Sequence, residues 1–206
     1  MQILKSWAQR SIQNLSKLFP ILANTGIGLV LRLYNLGAQS LWFDETYTVF
    51  VARLPLIEGW RFLVADGVHP PLFYWIEKIF LIIGGSEFVV RLPALIFGAL
   101  AVPALYLAGR IWATENQAFF ASLLLALSPY HIWYSQEARM YSALVWLAIV
   151  IMGIFYANIQ RPGRGKRIAF ILSSCIAYLT HYYALILPLI QFGYLLVIFR
   201  KNPRAV

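Results

Sequence analysis

An all-α, polytopic transmembrane bundle of about six spans is the fold class this sequence predicts, and three observations predict it. Hydrophobic residues make up 61% of the 206 and charged residues only 12%, roughly half the charged share of an average soluble chain. Apolar windows recur along the whole chain: Leu18–Leu36, Leu72–Gly84, Leu92–Ile111, Ala118–Trp133, Ser142–Ile159, Ile168–Leu179 and Ala184–Phe199. Lys and Arg fall between those windows, as they do in helical membrane proteins. The formal net charge of +9 therefore speaks for membrane flanks and not for nucleic acid, which would need the cations clustered on one soluble face.

The elements follow in order. Met1 to Lys17 is polar and basic without an apolar core, so no cleavable signal peptide is expected before the first window. The window Leu72–Gly84 is shorter than a span and is interrupted by Glu77 and Lys78. It predicts a helix lying in the membrane interface, a depth that suits Phe73, Tyr74 and Trp75. With that window not crossing, one side receives Lys5, Arg10, Lys17, Arg110, Arg161, Arg164, Lys166, Arg167, Arg200, Lys201 and Arg204, with Glu115 the sole acid among them. Asp44, Glu45, Glu58, Asp66, Glu87 and Glu137 fall on the other side. The positive-inside rule then places both termini in the cytoplasm of a cell-membrane, multi-pass protein. The windows Ile168–Leu179 and Ala184–Phe199 are short, and predict either little tilt or a shallow hairpin around His181. Cys175 sits in an apolar stretch with no partner for a disulfide or a metal. The whole of 1–206 reads as one transmembrane region.

The outward side then holds a long first loop, about Gly37 to Arg91, and a shorter one around Tyr134 to Tyr141. Trp42-Phe43-Asp44-Glu45 opens the first. An acid there can serve as general base for a hydroxyl or amine, or it can be a solvated carboxylate paired with Arg53 or Arg61. His69-Pro70-Pro71 follows. The prolines start a helix and point the histidine back at the loop, where it could hold a phosphate or a metal or be incidental. Gln136-Glu137-Ala138-Arg139-Met140-Tyr141 lies at a membrane boundary. There an acid and an arginine are costly unless paired with each other or with a ligand, and a guanidinium fork matches phosphate. Thr180-His181-Tyr182-Tyr183 suits interfacial anchoring as well as a ligand role. The convergence of all of them on one side of the membrane favours a site.

These motifs, together with Arg91-Leu92-Pro93 and Ser128-Pro129 and in this order, resemble the amino-terminal half of the polyprenol-phosphate-sugar-dependent glycosyltransferases of the GT-C fold. The likeness is in particular to the protein mannosyltransferase and aminoarabinose transferase group, glycosyltransferase family 39 and its prokaryotic relatives. The resemblance implies a sugar carried on a polyprenyl phosphate and moved to a protein, lipid or glycan acceptor on the extracytoplasmic side. It implies Asp44 as catalytic base, Glu45 as the neighbour that shapes the site, and Glu137 as a second acid. Arg139 is then implied at the lipid phosphate, with His69, Tyr141 and Trp42 at the substrate. His181 is implied beside a divalent metal such as Mg or Mn, with no other cofactor. Relatives carry about twice as many spans, so a carboxy-terminal half or a partner chain is expected to complete the site. A transporter or flippase, with its acids coupled to ions, and an inactive scaffold of the same fold stand as the alternatives.

Overall fold

A computed structural model describes residues 2–201, with side chains from Leu18 to Arg200. The side chains of Lys5, Arg10, Lys17, Lys201 and Arg204, assigned above to the cytoplasm, and Met1 lie outside the described residues. The described residues form helices joined by short turns. These are α1 (Gln2–Leu33), α2 (Phe43–Arg53), α3 (Leu56–Asp66), α4 (Leu72–Phe80), α5 (Glu87–Trp112), α6 (Glu115–Leu127), α7 (Pro129–Ser135), α8 (Tyr141–Gln160), α9 (Arg164–Thr180) and, after a 3-10 turn at Tyr182–Leu185, α10 (Ile186–Lys201).

The spans Glu87–Trp112, Tyr141–Gln160 and Tyr182–Arg200 are long and apolar enough to cross a bilayer, while the apolar part of α1, Leu18–Leu33, is shorter. Helix α5 is the axis of the bundle and packs against α1, α6 and α8, with α9 on the far side of α8. Small residues make that packing close, as membrane helices require: Ala94, Ala101 and Ala126 are fully buried, and a Cβ at Gly153 would stand 3.0 Å from that of Ala108. Asn24 ties α1 to α6 by donating to Ser122 Oγ at 2.7 Å.

The window Ala118–Trp133 is not one continuous span. Ser128 ends α6 and caps α7, its Oγ accepting from the His131 N–H, and Pro129 occupies the first turn of α7, where its missing N–H costs nothing. Helix α7 thus starts a new direction and packs against α5, α1, α8 and α6. It can do so because Gly98 of α5 leaves room: a Cβ there would stand 2.1 Å from Ser135 Oγ. After the break at His181 the 3-10 turn runs on into α10, and the apolar element Tyr182–Arg200 is long enough to cross a bilayer, more than the short window Ala184–Phe199 suggested. Helix α4 is short, as expected of an interfacial element, and its inward face carries Phe73, Tyr74 and Glu77, all buried.

Hydrogen bonds bring one set of helix ends together. Arg32, near the end of α1, donates to Leu125 O and Ala126 O at the end of α6, where the helix runs out of its own donors; Leu125 O also accepts from the Ser128 N–H. Gln136 donates in turn to Arg32 O and Tyr34 O. There α1 turns away through Asn35, whose φ of 57° is the left-handed conformation asparagine tolerates.

Candidate active site at the end of the bundle

The site residues that the sequence suggested gather at or beside this end. Glu45 is fully buried in the first turn of α2. It grips Arg91 of α5 through two bonds, Nε to Oε1 and Nη2 to Oε2, each 2.8 Å. Its oxygens also accept from the backbone N–H of Ala138 at 2.9 Å and of Trp42 at 3.3 Å. Arg91 spends its remaining N–H groups on the carbonyls of Leu36, Gln39 and Ser40. All five of its donors are thereby engaged. The pair fastens the Leu36–Ser40 turn, the start of α2 and the Glu137–Ala138 strap to α5. Glu45 thus ties three segments together, and its four hydrogen bonds engage both of its oxygens.

Asp44, one residue earlier, is different. It is partly exposed, and among the described residues no hydrogen bond or ion pair reaches its carboxylate, from Arg53, Arg61 or any other donor. The N-terminal end of α2 gives an anion there a favourable field.

Arg139 is 4% exposed and pairs with neither Glu137 nor any other carboxylate among the described residues. Its Nη2 donates to His69 Nε2 at 3.0 Å, while Nη1 makes only long contacts, 3.4 Å to Thr48 Oγ1 and 3.5 Å to the Asp44 carbonyl. Its Nε is buried with no partner. Arginine can only donate, so His69 Nε2 must accept and the histidine carries its proton on Nδ1. That proton faces Asp66 Oδ2 at 3.0 Å. Tyr47 and Tyr74 wall in the imidazole, with ring centroids 5.8 and 6.2 Å away.

Glu137 is also buried. Its Oε1 accepts from the Trp133 indole N–H and its Oε2 has no partner. Burial above all pushes its carboxyl upward; the indole bond and Arg139 oppose the shift, while Glu45 and Asp44 add to it. Tyr141 stands under the Arg139 guanidinium, 5.9 Å from ring centroid to carbon, and between Tyr134 and His181. Trp42, Glu45, Glu137 and Tyr141 line an open cavity of about 570 Å³. Asp44, His69, Arg139 and His181 gather beside it.

His181, for which the resemblance implies a metal role, lies at this end as well, against Tyr141. Its Nδ1 accepts from the Tyr183 N–H at 3.0 Å, which leaves the ring proton on Nε2, and burial lowers its pKa first, with His69 and Arg139 adding to that. Among the described residues no three His, Cys, Asp or Glu side chains come together in a metal-holding group. Sequence reasoning left Arg32, Arg91, Asp66 and Glu77 without a role. The first two support the site, and Asp66 orients His69. His131 is held as the neutral imidazole: Arg32 donates to its Nδ1, and burial followed by Arg32 pushes it down to about 4.

The helical membrane bundle with acids and an unpaired arginine at one end belongs, by the family model it matches, to the GT-C-type membrane glycosyltransferases. The model of the family described as dolichyl-phosphate-mannose-protein mannosyltransferase matches residues 68–204, and the chain belongs to that family. The match takes in His69, Glu137, Arg139 and His181, and begins after Asp44 and Glu45. Comparison with curated proteins and with solved structures found no match.

Proposed function

We propose that this chain transfers a sugar from a polyprenyl-phosphate-linked donor to a protein, lipid or glycan acceptor on the extracytoplasmic face, with residues 1–206 acting as one transmembrane region. Arg139 carries the proposal. A buried guanidinium with no carboxylate partner and an unsatisfied Nε costs stability unless a ligand anion completes it. A lipid phosphate supplies that anion in a geometry the fork suits.

In this scheme the acceptor oxygen attacks the anomeric carbon while the bond from that carbon to the phosphate oxygen breaks. The acceptor proton passes to the free carboxylate of Asp44, and the charge that grows on the departing phosphate is met by Arg139. The carbonyl of Asp44 lies 3.5 Å from Arg139 Nη1, so base and anion site are neighbours, as a displacement at one carbon demands. Glu137 holds or orients a hydroxyl, and Glu45 keeps α2 in place through Arg91. No step is routed through a metal.

The test is donor binding in membranes. Arg139→Lys should weaken binding of a polyprenyl-phosphate sugar about tenfold or more through loss of the fork; an unchanged donor KM would remove Arg139 from the phosphate.

A further inference from the structure

A second open cavity, of about 620 Å³, lies between the end of α2, the start of α3 and α4. It shares no lining residue with the cavity of Glu45, Glu137 and Tyr141. Its walls are apolar, with Leu56, Trp75, Ile79 and Ile82 all exposed, and its only charges are basic. Lys78 Nζ donates to Ala52 O at 3.0 Å and to Leu54 O at 2.7 Å, and a lysine has a third N–H still to give. Arg53, between those two carbonyls in the chain, is exposed and lines the same groove. Its Nη2 rests beside the α4–α5 link, where a Cβ at Gly85 would stand 3.2 Å away. Among the described residues neither cation is in an ion pair. An apolar slot with two unanswered cations in its lining suits an amphiphile, phosphate at the cations and hydrocarbon along the walls. Trp60 and Trp75, with ring centroids 6.3 Å apart, are of the residue type that sits at headgroup depth in a bilayer.

We infer that this groove binds an anionic glycerophospholipid of the bilayer, its phosphate between Arg53 and Lys78 and an acyl chain along Leu56, Trp75, Ile79 and Ile82. The site is separate from that of the carrier phosphate. Arg139 contacts the Asp44 carbonyl, Thr48 and His69, and none of these lines the groove. No acid lines it either, so it offers no base for a transfer, and the lipid is a resident companion of the fold and not a substrate. Lys78 already fastens α4 to the end of α2. A phosphate that bridges Lys78 and Arg53 therefore braces the helix whose first turn carries Asp44 and Glu45. None of this requires the chain to transfer a sugar.

The experiment uses the full chain in a neutral detergent and reads bound lipid and its Kd by native mass spectrometry. The probes are dioleoylphosphatidylglycerol, dioleoylphosphatidylcholine, glycerol phosphate and decaprenyl phosphate. Phosphatidylglycerol should bind at least about tenfold more tightly than the zwitterionic phosphatidylcholine, since each cation near a headgroup adds to the attraction. Arg53→Gln, at an exposed position, should cut the affinity for phosphatidylglycerol about fivefold and leave that for phosphatidylcholine and for decaprenyl phosphate as it was. Equal binding of the two phospholipids by the wild type overturns the inference, as does an Arg53→Gln protein that keeps the full preference. Competition separates the remaining sources. Neither glycerol phosphate nor decaprenyl phosphate should displace phosphatidylglycerol at equal concentration. Displacement by glycerol phosphate makes this a phosphate site without a chain, displacement by decaprenyl phosphate makes it a carrier site, and either overturns the assignment to a phospholipid.

Discussion

Arg139 Nη2 donates to His69 Nε2 at 3.0 Å, so a histidine, and not a carboxylate, holds the buried guanidinium. A carboxylate would neutralise the arginine, whereas a neutral imidazole orients it and leaves its charge for a ligand. Asp66 fixes the histidine tautomer from behind at 3.0 Å, which makes the order Asp66, His69, Arg139 a chain of orientation.

Breaking that chain should weaken the phosphate site without emptying it. A hydrogen bond to a charged group contributes about 1.5–3 kcal/mol, so His69→Phe should raise the Kd for a polyprenyl-phosphate sugar about tenfold or more, and should also lower the Tm because Arg139 loses its one short hydrogen bond. Asp66→Ala, which frees the tautomer but leaves the ring, should have a smaller effect in the same direction. Titration of both variants with labelled donor checks this, and an unchanged Kd in His69→Phe contradicts it.

The pair Glu45–Arg91 predicts a stability effect. Glu45→Ala leaves the Arg91 charge buried and unpaired, which costs about 3–5 kcal/mol, and should lower the Tm in detergent by many degrees. The double variant Glu45→Leu with Arg91→Met removes both charges and should recover much of that loss. If the double variant is no more stable than Glu45→Ala, the pair does not act as described.

Gly98 predicts a steric effect. With a Cβ 2.1 Å from Ser135 Oγ, Gly98→Ala should displace α7 and destabilise the fold by about 1–3 kcal/mol. Adding Ser135→Gly should relieve much of it. Thermal unfolding of the single and double variants decides.

Glu77 predicts a pH dependence. It lies in α4, outside the spanning helices, fully buried with both carboxylate oxygens unpartnered. Burial first, and Glu45 second, push it up from 4.5 to about 8. The folded state therefore binds the proton across that window while the unfolded chain has released it. Stability from this group must fall as pH rises from about 4.5 to about 8 and level off above, the reverse of a carboxylate in an ion pair. Glu77→Gln should flatten that slope and be the more stable protein at pH 9. A slope that persists in Glu77→Gln assigns the dependence to another group.

The sequence made the membrane bundle, the short helix at Leu72 and the gathering of motifs at one end legible, because apolar windows, positive flanks and polar residues between them are local signals. Glu45 and Arg91 are 46 positions apart, and nothing local says that they meet; pairing of that kind is decided by tertiary packing. The break at Ser128-Pro129 had a readable signal, an N-cap followed by proline in the first turn, outweighed by the hydrophobicity around it. Glu77 misleads in the opposite way: an acid in an apolar window suggests exposure at the interface, yet its spacing from Phe73 puts it on the inward face of α4. The neutrality of His69 toward Arg139 is a matter of donors and acceptors, and no spacing rule carries it.

The most direct measurement compares wild type with Asp44→Asn in membranes supplied with a radiolabelled polyprenyl-phosphate sugar. The free, nearly isosteric side chain at Asp44 predicts label passing to an acceptor in the wild type alone, with donor binding and Tm the same in both proteins. Equal transfer by Asp44→Asn would contradict the assignment of the base, and with it the proposed course of the reaction.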